Sequence, residues 1–216
     1  HVLPVPSLDP LSFYVAGRSL FQGKRIYWST PHQEQVLVGL GTAIQLETGQ
    51  TNNRFFHIDE QWNQLKECTL LSSEIEMSGT GPLLLGGFSF VDQINDPLWQ
   101  KFKPASFTLP QLMLTKKGSA TFLTINFYLH PNMKEESLPF YTQAWCDRFI
   151  KEVQKATVRP LQMRDKLAFY ADDPLEWNKR VEEAIEAIKK NHFSKVVLAR
   201  RLKVMSSEPF EVETVL

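Results

Sequence analysis

Apolar positions along the chain recur at two different periods, and the changes of period mark the elements. After Asp9-Pro10, a helix-start pair, "PLSFYVAGRSL" (10–20) reads as a short helix. "KRIYWST" (24–30) and "QVLVGLGTAIQLE" (35–47) read as strands with a turn at Pro31-His32, and the "GLG" at 39–41 reads as a bulge. Phe55, Ile58, Trp62 and Leu65 recur by three and four, which predicts a helix over 54–70 capped by Asn52 or Asn53. The polar "SSEIEMSGTG" (72–81) predicts a flexible connection. "PLLLGGFSF" (82–90) follows as a buried-type strand, in which Gly86-Gly87 calls for a bulge or a close backbone approach.

The stretch "ASFTLPQLMLTKKGSATFLTINFYL" (105–129) predicts two strands joined at Lys117-Gly118, with Pro110 at an edge or bulge. Alternation places Phe122, Thr124, Asn126 and Tyr128 on one face of the second strand and Leu123, Ile125, Phe127 and Leu129 on the other. A polar turn over 130–136 leads to a helix over 138–155 that should bury Tyr141, Trp145 and Phe149. Residues 156–172 read as irregular. A helix then starts with Asp173 as N-cap, Pro174 in the first turn and Glu176 three residues after the cap; its buried stripe is Trp177, Val181, Ala184 and Ile188, and Asn191 ends it. "SKVVLARRL" (194–202) predicts a strand, and "SSEPFEVETVL" (206–216) a helix capped by Ser207. Strands in local succession with helices inserted predict an α+β fold: mostly antiparallel sheets packed face to face, helices on the outside.

Composition narrows the function classes. With 43% apolar and 22% charged residues the chain has an ordinary globular balance, and its formal net charge of zero points to no polyanion partner, so no nucleic acid is expected. No apolar run is long enough to span a membrane. "HVLPVPSLDP" has neither an initiator Met nor a signal-peptide pattern and reads as a trimmed end. Cys68 and Cys146 lie far apart without a CxxC, which fits reduced thiols in a cytoplasmic protein. The five histidines show no metal-ligand spacing. "GTGPLLLGG" (79–87) lacks both G-x-G-x-x-G and a following Lys-Ser/Thr, so it is no phosphate loop. The tryptophans fall on predicted helix stripes and strand faces and read as core.

The position that stands out is Lys195, a charge at the entrance to Val196-Val197-Leu198-Ala199. On a strand, Lys195, Val197, Ala199 and Arg201 share one face, a small residue between two cations, with room for a small molecule; Val196, Leu198, Arg200 and Leu202 share the other. Two readings stay open on the residues alone. Lys195 marks the solvent end of a strand and snorkels its ammonium into water, or it is a base. A free lysine titrates near about 10.4, so a base working near neutrality must lose roughly three pKa units, about 4 kcal/mol, to desolvation or a nearby cation. The apolar run and Arg201 are the sequence's candidates for those two effects.

"FSKVVLARRL" resembles the lysine-bearing strand of the chorismate-utilising enzymes. "LLLGGFSF", "FTLPQLMLTKKGSATFLTIN", "DPLSFYVAG" and "RIYWSTP…VLVGLG" resemble the menaquinone-type isochorismate synthases in the same order, over most of the chain. The resemblance implies the N-terminal half of such an enzyme, about half of the full domain: a sheet-and-helix region over 1–136, and the start of the chorismate-binding catalytic region over 137–216. It implies that Lys195 is the general base that activates water for attack at C2 of chorismate, since family members that use ammonia carry glutamine there. It implies Mg²⁺, with its ligands and the general acid in the C-terminal half. Glu208, Glu211 and Glu213 read instead as the charged surface of a terminal helix. The expected partners are chorismate and either the missing half or a second copy, and this length alone is expected to be inactive. A salicylate synthase with the same lysine, or a non-catalytic scaffold that keeps the fold, are the alternatives.

Overall fold

Two stretches that read as single strands in the sequence each change sheet partway, and that change organises the fold. The computed structural model describes residues 1–49, 52–71, 77–91, 97–129, 138–156, 168–171, 173–207 and 209–216, with side chains omitted at 138–142 and 214. The chain divides into two compact units, His1–Val158 and Arg159–Leu216. The first unit runs Val2–Pro4 (β1), Pro10–Ala16 (α1), Arg25–Ser29 (β2), Gln35–Leu40 (β3), Ile44–Thr48 (β4), Arg54–Glu67 (α2), Leu85–Phe88 (β5), Ala105–Leu109 (β6), Leu112–Lys117 (β7), Ala120–Ile125 (β8) and Leu138–Lys155 (α3). The second runs Ala168–Ala171 (β9), Pro174–Lys189 (α4) and Leu202–Met205 (β10). The class is α+β with antiparallel pairing throughout.

In the first unit a five-stranded sheet has the order β1-β8-β7-β3-β2, and a three-stranded sheet the order β4-β6-β5. The strand expected over 35–47 is therefore two. Gly41, at φ +71°, turns the chain from β3 in the larger sheet to β4 in the smaller. Pro110 marks the matching corner between β6 and β7. Its carbonyl accepts from Asn126 Nδ2 at 2.7 Å, while Asn126 N–H donates to Gln111 O at 2.9 Å. Asn126 thus ends β8 at Ile125, and Phe127, Tyr128 and Leu129, expected to continue the alternation, leave the ladder and are exposed. A Cβ on Gly39 would lie 2.7 Å from Pro110 Cγ, so a glycine is what lets the corner close on the sheet.

The two faces of the larger sheet are covered differently. Val36, Val38 and Leu40 of β3, Leu112 and Leu114 of β7, and Leu123 and Ile125 of β8 share one face. They form the main core with Phe13 and Tyr14 of α1 and Cys146, Phe149 and Val153 of α3. The stripe of α3 is thus offset from the one expected: Phe149 is buried, Trp145 only packs at the margin, and the Tyr141 side chain lies outside the described residues. By packing, α3 belongs with the first unit, His1–Val158. On the opposite face, Leu37 and Met113 meet Leu85 of the smaller sheet, which is where the two sheets touch. That face also holds part of the connection expected to be flexible. Thr115 Oγ1 donates to Gly79 O, Thr124 Oγ1 accepts from Gly81 N–H at 3.2 Å, and Gln35 Nε2 donates to Ser78 O at 3.3 Å. Residues 72–76 of that connection lie outside the described residues.

Local signals explain most of the remaining elements. Asp9 caps α1, its carboxylate accepting from Ser12 N–H at 2.7 Å, and α1 ends at Ala16 with Gly17 as its C-cap, short of the expected residue 20. Asn53 occupies the N-cap of α2, one of the two expected positions, but in the left-handed region (φ 57°) and without a side-chain capping bond. Ile58 buries against Leu46 and Ala105, with Trp62 beside them, while Phe55 stays exposed. The hairpin of β7 and β8 turns at Gly118, as expected, with φ +57°. Gly86 meets the expected close approach: a Cβ there would lie 2.1 Å from Ser106 O of β6. β1 pairs with β8 through Val2, Leu3 and Pro4, a strand the sequence pattern did not disclose. The polar turn expected over 130–136 lies outside the described residues.

Both cysteines are free, Cys68 exposed and Cys146 buried. Burial, then the Asp147 carboxylate, push the Cys146 thiol up to about 11. A thiol-disulfide reagent at about pH 8 is therefore expected to titrate Cys68 in the native chain and Cys146 only after unfolding. Rapid reaction of both native thiols would show that the α1–α3 core opens. The raised value also couples to stability. The contribution is complete below the unfolded-state thiol value and disappears as pH climbs towards 11, because the folded form then holds a proton that the unfolded form has released.

Candidate functional site

The second unit carries the residues singled out for chemistry, and its scaffold is α4. The Asp173 carboxylate accepts from Leu175 N–H at 3.0 Å, Pro174 opens the first turn and Glu176 follows in it, as the sequence predicts. Glu176–Arg180, Lys179–Glu183 and Glu186–Lys189 pair along the exposed side. Being exposed, these pairs contribute little each. The apolar stripe behaves otherwise than expected. Trp177, Val181 and Ala184 are only half-buried, Ile188 is exposed, and no residue of α4 is buried.

The helix ends as predicted and leads straight to the lysine. Asn191, in the left-handed region (φ 58°), turns the chain, with Asn191 N–H on Ile188 O at 2.9 Å and His192 N–H on Ala187 O at 3.0 Å. Lys195 follows four residues later. The strand expected over 194–202 does not form there. Residues 195–201 carry no strand pairing, and the ladder begins only at Leu202, where β10 pairs with β9: Leu202 with Ala171, Lys203 with Tyr170, Val204 with Phe169 and Met205 with Ala168. β9 is itself a correction, since 156–172 read as irregular; residues 157–167 and 172 lie outside the described residues.

Lys195 is exposed, and so is the run beside it: Val197 is 81% exposed, Val196 40% and Leu198 38%. The dehydrating neighbours expected of a neutral base are present in sequence but uncovered in this span. Arg200, expected to weaken the apolar face, instead sets its guanidinium 5.7 Å from the Trp177 ring centroid, a cation–π contact that holds the end of the run to the first turn of α4. Arg201 lies exposed just ahead of β10. The structure therefore brings the Lys195 run and α4 together, and among the described residues the lysine stays exposed. What local pattern could not supply is the partner strand. An apolar alternation announces that a run wants cover, and says nothing of where the cover comes from.

The terminal helix expected from Ser207 is reduced to one 3-10 turn at Val212–Thr214. Glu213 is buried, not part of a charged surface; Glu211 is exposed; Glu208 lies outside the described residues. Among the described residues no group of three or more His, Cys, Asp or Glu side chains could hold a metal ion. Among them, too, no helix is long and apolar enough to cross a membrane.

Comparison with known proteins adds what geometry alone does not. The family described as chorismate binding enzyme matches residues 1–216. Isochorismate synthase MenF of Bacillus subtilis (strain 168) is 34% identical over 226 residues, which cover 98% of this chain and 45% of that protein. The salicylate biosynthesis isochorismate synthase of Pseudomonas aeruginosa is 27% identical over 200 residues, covering 91% of this chain and 39% of that protein. Among solved structures, MenF, the menaquinone-specific isochorismate synthase from Escherichia coli, aligns with a TM-score of 0.49 at 17% identity, over 97% of this chain and 42% of that one. The chain spans less than half the length of the relatives it matches.

Proposed function

The chain belongs to the chorismate-binding enzyme family, and from that premise we propose that the full-length protein is a cytoplasmic isochorismate synthase of menaquinone biosynthesis. The observation that supports the reading most is the 34% identity to an isochorismate synthase across 98% of this chain. Lys195, as a neutral amine, takes a proton from water, and the oxygen bonds to C2 of chorismate. The ring double bonds shift, the bond from C4 to its hydroxyl breaks, and the departing oxygen takes up a proton. One water enters and one leaves, so the product is an isomer.

The chemistry requires the amine to be poorly solvated, because water holds a lysine in its charged form. Val196, Val197 and Leu198 are exposed in this span. In the proposal, the remainder of the full-length protein covers them and dehydrates Lys195 in the same step. The Mg²⁺ that the resemblance implies finds no donor set among the described residues, and no step above runs through it. Its ligands and the acid for the leaving hydroxyl are assigned to the remainder, so residues 1–216 alone are expected to be inactive.

Incubation of the full-length protein with chorismate and Mg²⁺, followed by product chromatography, tests the reading. Isochorismate is the expected product. Salicylate with pyruvate would make the protein a salicylate synthase instead, and unchanged chorismate would remove the catalytic reading altogether.

A further inference from the structure

The four outer strands of the two sheets in the first unit are not protected alike. β1 carries Pro4, β2 opens on Arg25 and β4 carries Glu47, and proline or charge keeps an open edge from pairing again. β5 is Leu-Gly-Gly-Phe, with neither. Gly86, Gly87 and Phe88 are exposed.

The direction of its backbone groups follows from the register. Ser89 N–H donates to Pro104 O at 2.7 Å, and the ladder sets Gly87 opposite Ser106 and Leu85 opposite Thr108. Antiparallel alternation then turns the N–H and C=O of Leu85, Gly87 and Ser89 towards β6, and those of Gly86 and Phe88 outwards. The sheet face at Gly87 is also open: among the described residues no heavy atom lies within 4 Å of where a Cβ there would sit. Aromatic surface borders it. Phe88 packs on Phe55 at 4.4 Å and on Phe107 at 4.8 Å yet remains partly exposed, and Phe90 just beyond is 99% exposed.

We propose that a strand from the part of the full-length protein outside residues 1–216 adds to the outer edge of β5, bonding Gly86 and Phe88 and covering these rings. The proposal rests on the reading of the chain as part of a longer family enzyme. Two observations favour this occupant over a second copy. The relatives are covered over only 45% and 39% of their length; on the reading above, the remainder is tethered to the same molecule, and tethering makes a short pairing effective. The edge is four residues long with two facing outwards, far below the area that holds two separate chains together.

Residue-resolved hydrogen exchange on the full-length protein tests it with an internal control. Gly87 and Ser89 report the ladder to β6, while Gly86 and Phe88 report the outer edge. The expected result is that all four amides are protected, Gly86 and Phe88 on the order of a hundredfold or more against open chain. Free exchange of Gly86 and Phe88 beside protected Gly87 and Ser89 overturns the proposal. So does protection that vanishes on dilution, which would identify a second copy. Product chromatography on the same sample separates the two readings. Isochorismate with unprotected outer amides sinks only the edge pairing, and protected amides without isochorismate sink only the function.

Discussion

Replacing Lys195 by glutamine in the full-length protein is expected to lower kcat for isochorismate formation by about 10²–10⁴-fold, the range a positioned general base supplies. That is roughly 3–5 kcal/mol of transition-state stabilisation. Glutamine keeps most of the side chain's length and can still donate a hydrogen bond, but it cannot take a proton from water. KM is expected to change little, because the lost interaction belongs to the transition state. Far-ultraviolet circular dichroism confirms the fold. Undiminished water addition by the variant would show that another group is the base. The exposure of Lys195 within residues 1–216 makes the experiment informative only on the full-length protein, where the proposed cover is in place.

The ease with which different parts of this fold could be read from sequence follows from where their determinants lie. α4 was legible to the residue at its start because Asp173, Pro174 and Glu176 act on backbone groups within one turn. The β7–β8 hairpin was legible for the same reason, with its turn glycine between two alternating runs. The sheet change at Gly41 was not, since "GLG" inside an apolar run reads equally as a bulge. The discriminating fact is that β6 and β7 make the matching change at Pro110, some seventy positions away. β1 and β9 were missed because each is short and defined by its partner, β8 or β10, rather than by its own pattern.

Lys195 combines both situations. Its identity as the candidate base came from a motif, which is local. The desolvation it needs comes from packing, which is not. The run Val196–Ala199 has the composition of a buried strand, but among the described residues its ladder starts only at Leu202. Exposed apolar surface recurs across the second unit, at Phe169, Tyr170, Leu175, Ile185 and Leu202. A unit whose main helix buries no residue keeps the amphipathic pattern without the partner that the pattern implies, and that partner is what the proposal assigns to the rest of the molecule.

The first unit is different, because its main core is built from described residues of the span, and the effect of a core deletion there can be stated. Phe149→Ala is expected to destabilise it by about 3–5 kcal/mol. Phe149 is buried and sits at the meeting point of α1, α3 and the larger sheet. Its ring meets Phe13 edge-on at 5.3 Å, stacks on Trp145 at 5.1 Å and approaches Phe21 at 6.4 Å. Truncation removes these aromatic contacts and leaves a void that α3 cannot close without leaving the sheet. In urea the midpoint is expected to fall by on the order of 2 M, given slopes of about 1–3 kcal/mol per molar. Phe90→Ala is the matched control. It deletes the same ring where it is 99% exposed, and within residues 1–216 is expected to change stability by less than about 0.5 kcal/mol. In the full-length protein the two substitutions part company with that simple ranking. If a strand covers the β5 edge, Phe90→Ala acquires a cost there that it lacks in the shorter chain, while the cost of Phe149→Ala stays where the α1–α3 core sets it. Equal costs for the two substitutions in residues 1–216 would mean that the packing of α3 on the sheet is not what stabilises this unit.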